Sequence, residues 1–258
     1  MSGSREDEYV SKYYNDAWAT KLQRKEYRTL DARWRSRWEF AVQEIPQKSK
    51  VLDCGCGDGI LGGMLKNKGC DVYGLDISEY AMALATERGV KTASCDLSSD
   101  SFPFQDGFFD AVVFACVLEH IAFPEHALRE AARVAKDEGI VIVTIPNAVN
   151  IRFRLGFLRG RVPIDFLHLR PGEGVHLRFF DFKQDFDRLV SSVVPELKIV
   201  KKVATIKNPK SHNVVSRWLL SGLMRLLPNL FCEYTNIRLV KAVGNARISS
   251  RELLFLKL

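Results

Sequence analysis

The sequence predicts an open, doubly wound α/β fold, and three observations carry the prediction. Short apolar runs alternate with segments of helical spacing from about residue 48 to residue 146. Carboxylates follow several of the apolar runs, at Asp53, Asp76 and Asp96, the side on which open α/β sheets bind ligands. Between the first apolar run and the helix after it lies a turn with glycine at alternate positions, Gly55-Cys56-Gly57-Asp58-Gly59. Such a turn lets backbone pass close beneath a ligand, and the helix start offers unpaired N–H groups.

The 258 residues, 47% hydrophobic, suffice for one sizeable core. The net charge of +7 favours acidic partners but is modest for a dedicated nucleic-acid binder. Cysteines 54, 56, 70, 95, 116 and 232 form no CxxC pair and sit mostly among apolar residues. Reduced thiols are therefore expected, with no disulfide and no metal site. The N-terminus is charged, with no signal-peptide core, and no stretch reads as a membrane span, so a soluble cytoplasmic protein is expected.

Residues 1–46 read as an N-terminal helical lid or cap. Apolar residues at 34, 38, 41, 42 and 45 predict a helix over 31–45 that packs on the sheet and stops before Pro46. Residues 9–20 are less regular and aromatic, and Tyr13-Tyr14-Asn15-Asp16-Ala17-Trp18 suits a lid, with Tyr14 a candidate acceptor contact. Lys21, Arg24, Lys25 and Arg28 read as a solvated face.

Residues 47–258 form the second unit. Val51 onward is a buried strand, and Ile60, Leu61, Met64 and Leu65 are helically spaced after the turn. A dinucleotide loop would place a third glycine where Ile60 stands, and Asp53 and Asp58 would repel a pyrophosphate. The loop therefore suits a nucleoside that carries positive charge. Strands follow at 71–76, 90–93, 110–117 and 139–145, with helices at about 78–88 and 124–134. Asp76 lies where such folds place an acid against a ribose.

The run Val51 to Gly59, then Asp76, Cys95-Asp96-Leu97 and the Phe102-Pro103-Phe104-x-Asp106-x-x-Phe109-Asp110 segment resembles a class I S-adenosylmethionine-dependent methyltransferase. Leu118-Glu119-His120-Ile121 is similar to the small-molecule branch, of methyltransferase type 11 or 12. Ile145-Pro146-Asn147 with Gly160-Arg161-Val162-Pro163 also looks MetW-like. The resemblance implies a Rossmann-like, seven-stranded, mostly parallel sheet with an antiparallel last strand. Leu197–Ile206 and Ile237–Val243 are its expected final strands.

The resemblance also implies S-adenosylmethionine as cofactor and assigns roles to residues. Gly55, Cys56 and Gly57 would pass beneath the methionine part, with Asp53 near its ammonium. Asp76 would accept both ribose hydroxyls, and Ile77 would lie on the adenine. Asp96 and the N–H of Leu97 would meet the adenine edge, and Ala115 and Cys116, at the end of the fourth strand, would also contact the cofactor. For each acid the plain alternative is a turn or helix cap, which suffices for Asp100 and Asp106. His120 is the candidate base for an oxygen or nitrogen acceptor, against the alternative of a packing histidine. Glu119 is expected to orient its loop, and His126 to lie on the surface.

Acceptor choice is expected within an insertion at about 147–180. There arginines at 152, 154, 159, 161, 170 and 178 interleave with Phe153, Phe157, Phe166, Phe179 and Phe180. The mixture suits an acidic acceptor with an apolar portion, and Arg154, His176 and Arg178 are the candidates to touch it. Arg152 and Arg159 fit the solvated side of a helix over 151–158. Val214–Leu227 reads as a helix that is buried, dimer-facing or laid on a membrane surface, which keeps a lipid-linked acceptor in view. Residues 245–258 have no assigned role. Three functions follow: a methyltransferase on a small-molecule or glycan-type acceptor, at oxygen; an RNA methyltransferase; and a MetW-like accessory subunit. The second is disfavoured by Phe114-Ala115-Cys116-Val117, which stands in place of the Asn/Asp-Pro-Pro-aromatic motif.

Overall fold

Buried apolar strands with polar loops at their carboxyl ends build the centre of the molecule. The computed structural model describes residues 5–23, 32–160, 176–181, 184–205 and 222–242. Two helices lead, α1 (Arg5–Gln23) and α2 (Ala32–Glu44), followed by β1 (Lys50–Cys54), α3 (Ile60–Asn67), β2 (Asp71–Asp76), α4 (Glu79–Glu87) and β3 (Lys91–Ser94). Then come β4 (Phe109–Ala115), α5 (Pro124–Val134), β5 (Ala135–Pro146), α6 (Ile151–Leu158), α7 (Asp185–Val193), β6 (Leu197–Thr205), α8 (Pro228–Phe231) and β7 (Tyr234–Lys241).

Local chemistry explains the helix boundaries. The Ser78 hydroxyl caps α4 by accepting from the N–H of Ala81, and Asn150 caps α6 by accepting from Phe153. Pro124 occupies the first turn of α5, where its missing N–H costs nothing.

The seven strands lie in the order β3-β2-β1-β4-β5-β7-β6, with β7 antiparallel to both neighbours. The expected sheet, including its antiparallel last strand, is the one observed. Helices cover both faces. One core gathers Phe109, Phe114, Leu128 and Phe186; the other sets Phe40, Ala41 and Ile45 of the α2 region against Val51, Leu61 and Leu65. Glu44 of α2 bonds Lys201 at 2.6 Å and Arg238 at 3.2 Å, which ties that helix to β6 and β7. Chain order reverses between β1 and β4, so the ligand crevice of an open sheet falls at their carboxyl ends.

Several boundaries differ from expectation. Residues 9–20 lie inside the single helix α1, because contacts with the α4 region, described below, hold it. Strand β7 begins at Tyr234 rather than Ile237. Its polar start is satisfied internally: the Thr144 hydroxyl donates to Asn236, and Asn236 donates to the Thr205 hydroxyl. Strand β5 extends back to Ala135 through pairing with Phe109. Of the expected helix over 214–227, residues 222–226 are described and helical. Expectations for 161–175, 206–221 and 243–258, and for the side chains of residues 21–37, lie outside the described residues. No described helix is long and apolar enough to cross a membrane.

Candidate active site

The β1 turn and the end of β2 form one hydrogen-bonded unit. The N–H groups of Gly55 and Cys56 donate to the Leu75 carbonyl at 2.7 and 3.0 Å. Asp76 then accepts from Gly57 N–H at 2.8 Å through one oxygen and from Ser78 N–H at 2.9 Å through the other. Gly55 and Gly57 have φ of +71° and +51°. A Cβ on Gly55 would stand 2.6 Å from Val117, and one on Gly57 2.5 Å from the Trp18 ring. Both glycines are required by conformation and by space.

Asp53 is 2% exposed, with the charges of Asp58 and Asp76 nearby. Burial first, then Asp76 and Asp58, push its carboxyl up to about 8. Asp58 is also buried and pairs with Arg88 at 3.7 Å. Burial pushes the Cys54 and Cys56 thiols well above their ordinary value, which removes them as nucleophiles.

At the end of β3, Asp96 accepts from Ser98 N–H at 2.8 Å, and Asp100 accepts from Asp96 N–H at 2.8 Å. The turn role for Asp100 therefore holds, and Asp96 also takes part in that turn. Asp106 does more than shape a turn, since it pairs with Arg133 at 2.8 Å. His126 touches the Asp100 carbonyl at 2.9 Å rather than only facing solvent.

Helix α1 lies along this crevice. The Ser11 hydroxyl donates to the carbonyl of Ile77 at 3.2 Å. The Asn15 side-chain oxygen accepts from the Ser78 hydroxyl at 2.7 Å and from Tyr80 N–H at 3.2 Å. Burial, then Tyr13 and the charges of Asp76, Asp96 and Glu119, push the Tyr14 hydroxyl upward, so this side chain sits among three acids. Ser11, Asn15 and Trp18 carried no individual assignment from sequence. Only the aromatic character of their segment signalled them, because their partners lie far along the chain.

Past β4, Cys116 has φ +60°, an uncommon conformation for a residue with a side chain, and its N–H donates to Thr144 at 2.8 Å. A 3₁₀ turn over Leu118–His120 follows. Glu119 is buried, and its carbonyl accepts from Leu177 and Arg178 N–H at 2.7 and 3.1 Å. The Arg178 guanidinium donates to the Ala122 carbonyl at 2.7 and 3.2 Å. These bonds set His176 beside His120, with ring centroids 4.7 Å apart and planes at 68°. His120 Nε2 lies 3.9 Å from a carboxylate oxygen of Glu119. Arg154 lies on exposed α6, with its Nε donating to the Val149 carbonyl at 2.7 Å. Buried Asn147 fastens the end of β5 by donating to the carbonyls of Cys232 and Asn229 at 2.9 and 3.0 Å.

A doubly wound sheet whose carboxyl-end loops at the β1–β4 reversal carry buried acids and a pair of imidazoles has the arrangement in which open α/β folds bind their ligands. Residues 52–143 match the family described as "Methyltransferase domain". Over those residues the sequence is similar to S-adenosylmethionine-dependent methyltransferases, and the chain has their class I, Rossmann-like fold. A tRNA (carboxymethyluridine(34)-5-O)-methyltransferase of Arabidopsis thaliana is 30% identical over 45% of this chain and 28% of its own. A ubiquinone biosynthesis O-methyltransferase of Azoarcus sp. is 34% identical over 38% of this chain and 44% of its own. The chain thus spans less than half the length of these two curated relatives. Among solved structures, Burkholderia thailandensis 1,6-didemethyltoxoflavin-N1-methyltransferase, with 1,6-didemethyltoxoflavin and S-adenosylhomocysteine bound, shares the fold. It matches at a TM-score of 0.58 and 13% identity, over 94% of this chain and 93% of that one.

Proposed function

We propose that the protein transfers the methyl group of S-adenosylmethionine to an oxygen of a small-molecule or glycan-type acceptor. The observation that carries this reading is the Asp76 carboxylate at the end of β2, bonded to the glycine turn of β1. The acids Asp53, Asp58, Asp76 and Asp96 fit a cationic nucleoside and oppose a pyrophosphate. When bound, the cofactor supplies an electrophilic methyl group on a sulfonium.

The chain's own residues then bind and orient. Asp76 accepts the two ribose hydroxyls, a carboxylate having lone pairs for several bonds. Ile77 lies on the adenine face, while Asp96 accepts from its exocyclic amine and Leu97 N–H donates to a ring nitrogen. Gly55, Cys56 and Gly57 pass beneath the methionine part, Asp53 faces its ammonium, and Ala115 and Cys116 close the floor at β4. Helix α1 acts as a lid, with Tyr14 facing the acceptor. His120 takes the proton from the acceptor hydroxyl, and His176, Arg178 and Arg154 contact the rest of the acceptor.

Exposed Phe157, Leu158, Leu177 and Phe179 near Arg154 and Arg178 in sequence support an acceptor with an apolar portion and an anionic one, such as a lipid-linked sugar met at a membrane surface. The Azoarcus relative's name supports oxygen as the atom methylated. The six cysteines are thiols rather than disulfides, which supports a reducing compartment such as the cytoplasm. The Arabidopsis relative favours tRNA as the second acceptor class to test.

Calorimetry with S-adenosylmethionine, followed by a methyl-transfer screen over quinols, phenols, sugars and tRNA, tests this reading. Binding at one site with transfer to a hydroxylated small molecule is expected. Transfer to tRNA alone would replace the acceptor class, and tight binding with no transfer would mark an accessory subunit. Absence of binding would overturn the reading.

A further inference from the structure

Glu119, His120 and His176 are brought together by the tertiary structure, with one ligand atom of each lying within 4.8 Å of the others. The grouping is held from outside the side chains. Two backbone bonds from Leu177 and Arg178 reach the Glu119 carbonyl, and the Arg178 guanidinium grips Ala122. Glu119 is 1% exposed, whereas both histidines are only partly buried, so the cluster is a buried carboxylate with two imidazoles at its open side. Asp76 and Asp96 lie close enough, with Glu119, to act together on Tyr14, so the surroundings add negative potential.

We propose that these three residues form a binding site for a divalent transition-metal ion at the carboxyl end of β4. Two imidazoles and one carboxylate occupy one face of an ion and leave the remaining positions open. The imidazoles favour Mn²⁺, Co²⁺ or Zn²⁺ over Mg²⁺ or Ca²⁺, which prefer all-oxygen ligation. Bonds of about 2.0–2.2 Å put ligand atoms roughly 3–3.5 Å apart. The 3.9 Å already present between His120 and Glu119 needs only small side-chain rotations to close.

The open positions would take an acceptor oxygen. That role rests on the methyltransferase reading, although the ion site itself does not. On the ion, an acceptor hydroxyl loses its proton to solvent more readily. With the ion bound His120 acts as a ligand, and in the ion-free protein it is the base, so loss of the imidazole slows transfer on either account.

The test uses tag-free, full-length protein stripped with EDTA and titrated with Co²⁺, followed by visible d–d absorption and calorimetry, with S-adenosylmethionine binding measured on the same preparation. One Co²⁺ per chain is expected. His176→Ala and Glu119→Gln should each weaken uptake tenfold or more, and His176→Ala should leave cofactor affinity unchanged as a control for folding. The inference is overturned if the wild type binds S-adenosylmethionine but takes up no stoichiometric Co²⁺, or if uptake is the same in both variants. Co²⁺ uptake lost in the variants, in a protein that binds no S-adenosylmethionine, would sustain the ion site and remove the methyltransferase reading.

Discussion

The backbone N–H of Gly57 donates to a carboxylate oxygen of Asp76 across 2.8 Å, so the turn after β1 is shaped by the last residue of β2. The same carboxylate holds Ser78 N–H, the cap of α4. One acid therefore fixes the geometry of the crevice and is the proposed partner of the ribose.

Asp76→Asn keeps the size and an acceptor oxygen but loses the charge and the two-oxygen geometry. Charge-assisted hydrogen bonds contribute about 1.5–3 kcal/mol. Affinity for S-adenosylmethionine should fall about 10- to 100-fold by calorimetry, and the ligand-free protein should also melt lower, since one of the bonds from Gly57 and Ser78 is lost. An unchanged dissociation constant would sink the ribose assignment.

Gly57→Ala meets two obstacles, its φ of +51° and a Cβ placed 2.5 Å from Trp18. The backbone part costs about 1–2 kcal/mol. Thermal unfolding should show a larger loss than that, and Trp18→Ala in the same chain should recover only the steric part. Full recovery would mean that the positive φ carries no cost here.

Asn15→Ala removes the acceptor for two hydrogen bonds that dock α1 on α4. Each contributes about 0.5–1.5 kcal/mol. Amide hydrogen exchange across residues 10–20 should quicken several-fold, and cofactor affinity should fall if this helix covers the bound nucleoside. Unchanged exchange would show that Ser11 and Trp18 alone hold the helix.

Asp53 carries a pH dependence. Its carboxyl is raised to about 8 from 3.8, so the fold favours its protonated form. The associated stability is fully present below pH 3.8 and is lost as pH rises through about 8. Asp53→Asn should therefore stabilise the ligand-free protein at pH 9 by at least about 1 kcal/mol, roughly 2–4 °C for a chain of this size. At about pH 3, where Asp53 is mostly protonated in both the folded and the unfolded chain, it should do little. A cationic ligand should also release a proton from Asp53 near pH 7, visible as binding heats that depend on the buffer's ionisation enthalpy.

His120→Ala should slow methyl transfer by about 100-fold or more, the usual range for general-base loss. Cofactor affinity should be unchanged, since no assigned cofactor contact is removed. Full turnover in the variant would place the proton acceptor elsewhere.

The five parallel strands, the turn between β1 and α3 and the acids Asp53, Asp76 and Asp96 were legible in the linear chain. Their signals are local: apolar runs of strand length, helical spacing between them, and glycines where the backbone needs positive φ. The same local chemistry excluded a dinucleotide, because Ile60 stands where a third glycine would be needed and acids flank the loop. Tertiary structure alone decided the continuity and docking of α1, whose contacts run from Ser11 and Asn15 to residues 77–80 with no periodic trace. It also decided the polar start of β7, since Asn236 is acceptable in a strand only when Thr144 and Thr205 satisfy it. It brought His176 to His120 across 56 residues of chain through two backbone bonds to Glu119. And it raised the Asp53 carboxyl, because that shift requires burial and two neighbouring acids at once. Periodicity and backbone preference act over a few residues and can be read in order, whereas ligand clusters and shifted acids arise only when distant segments share one water-poor space.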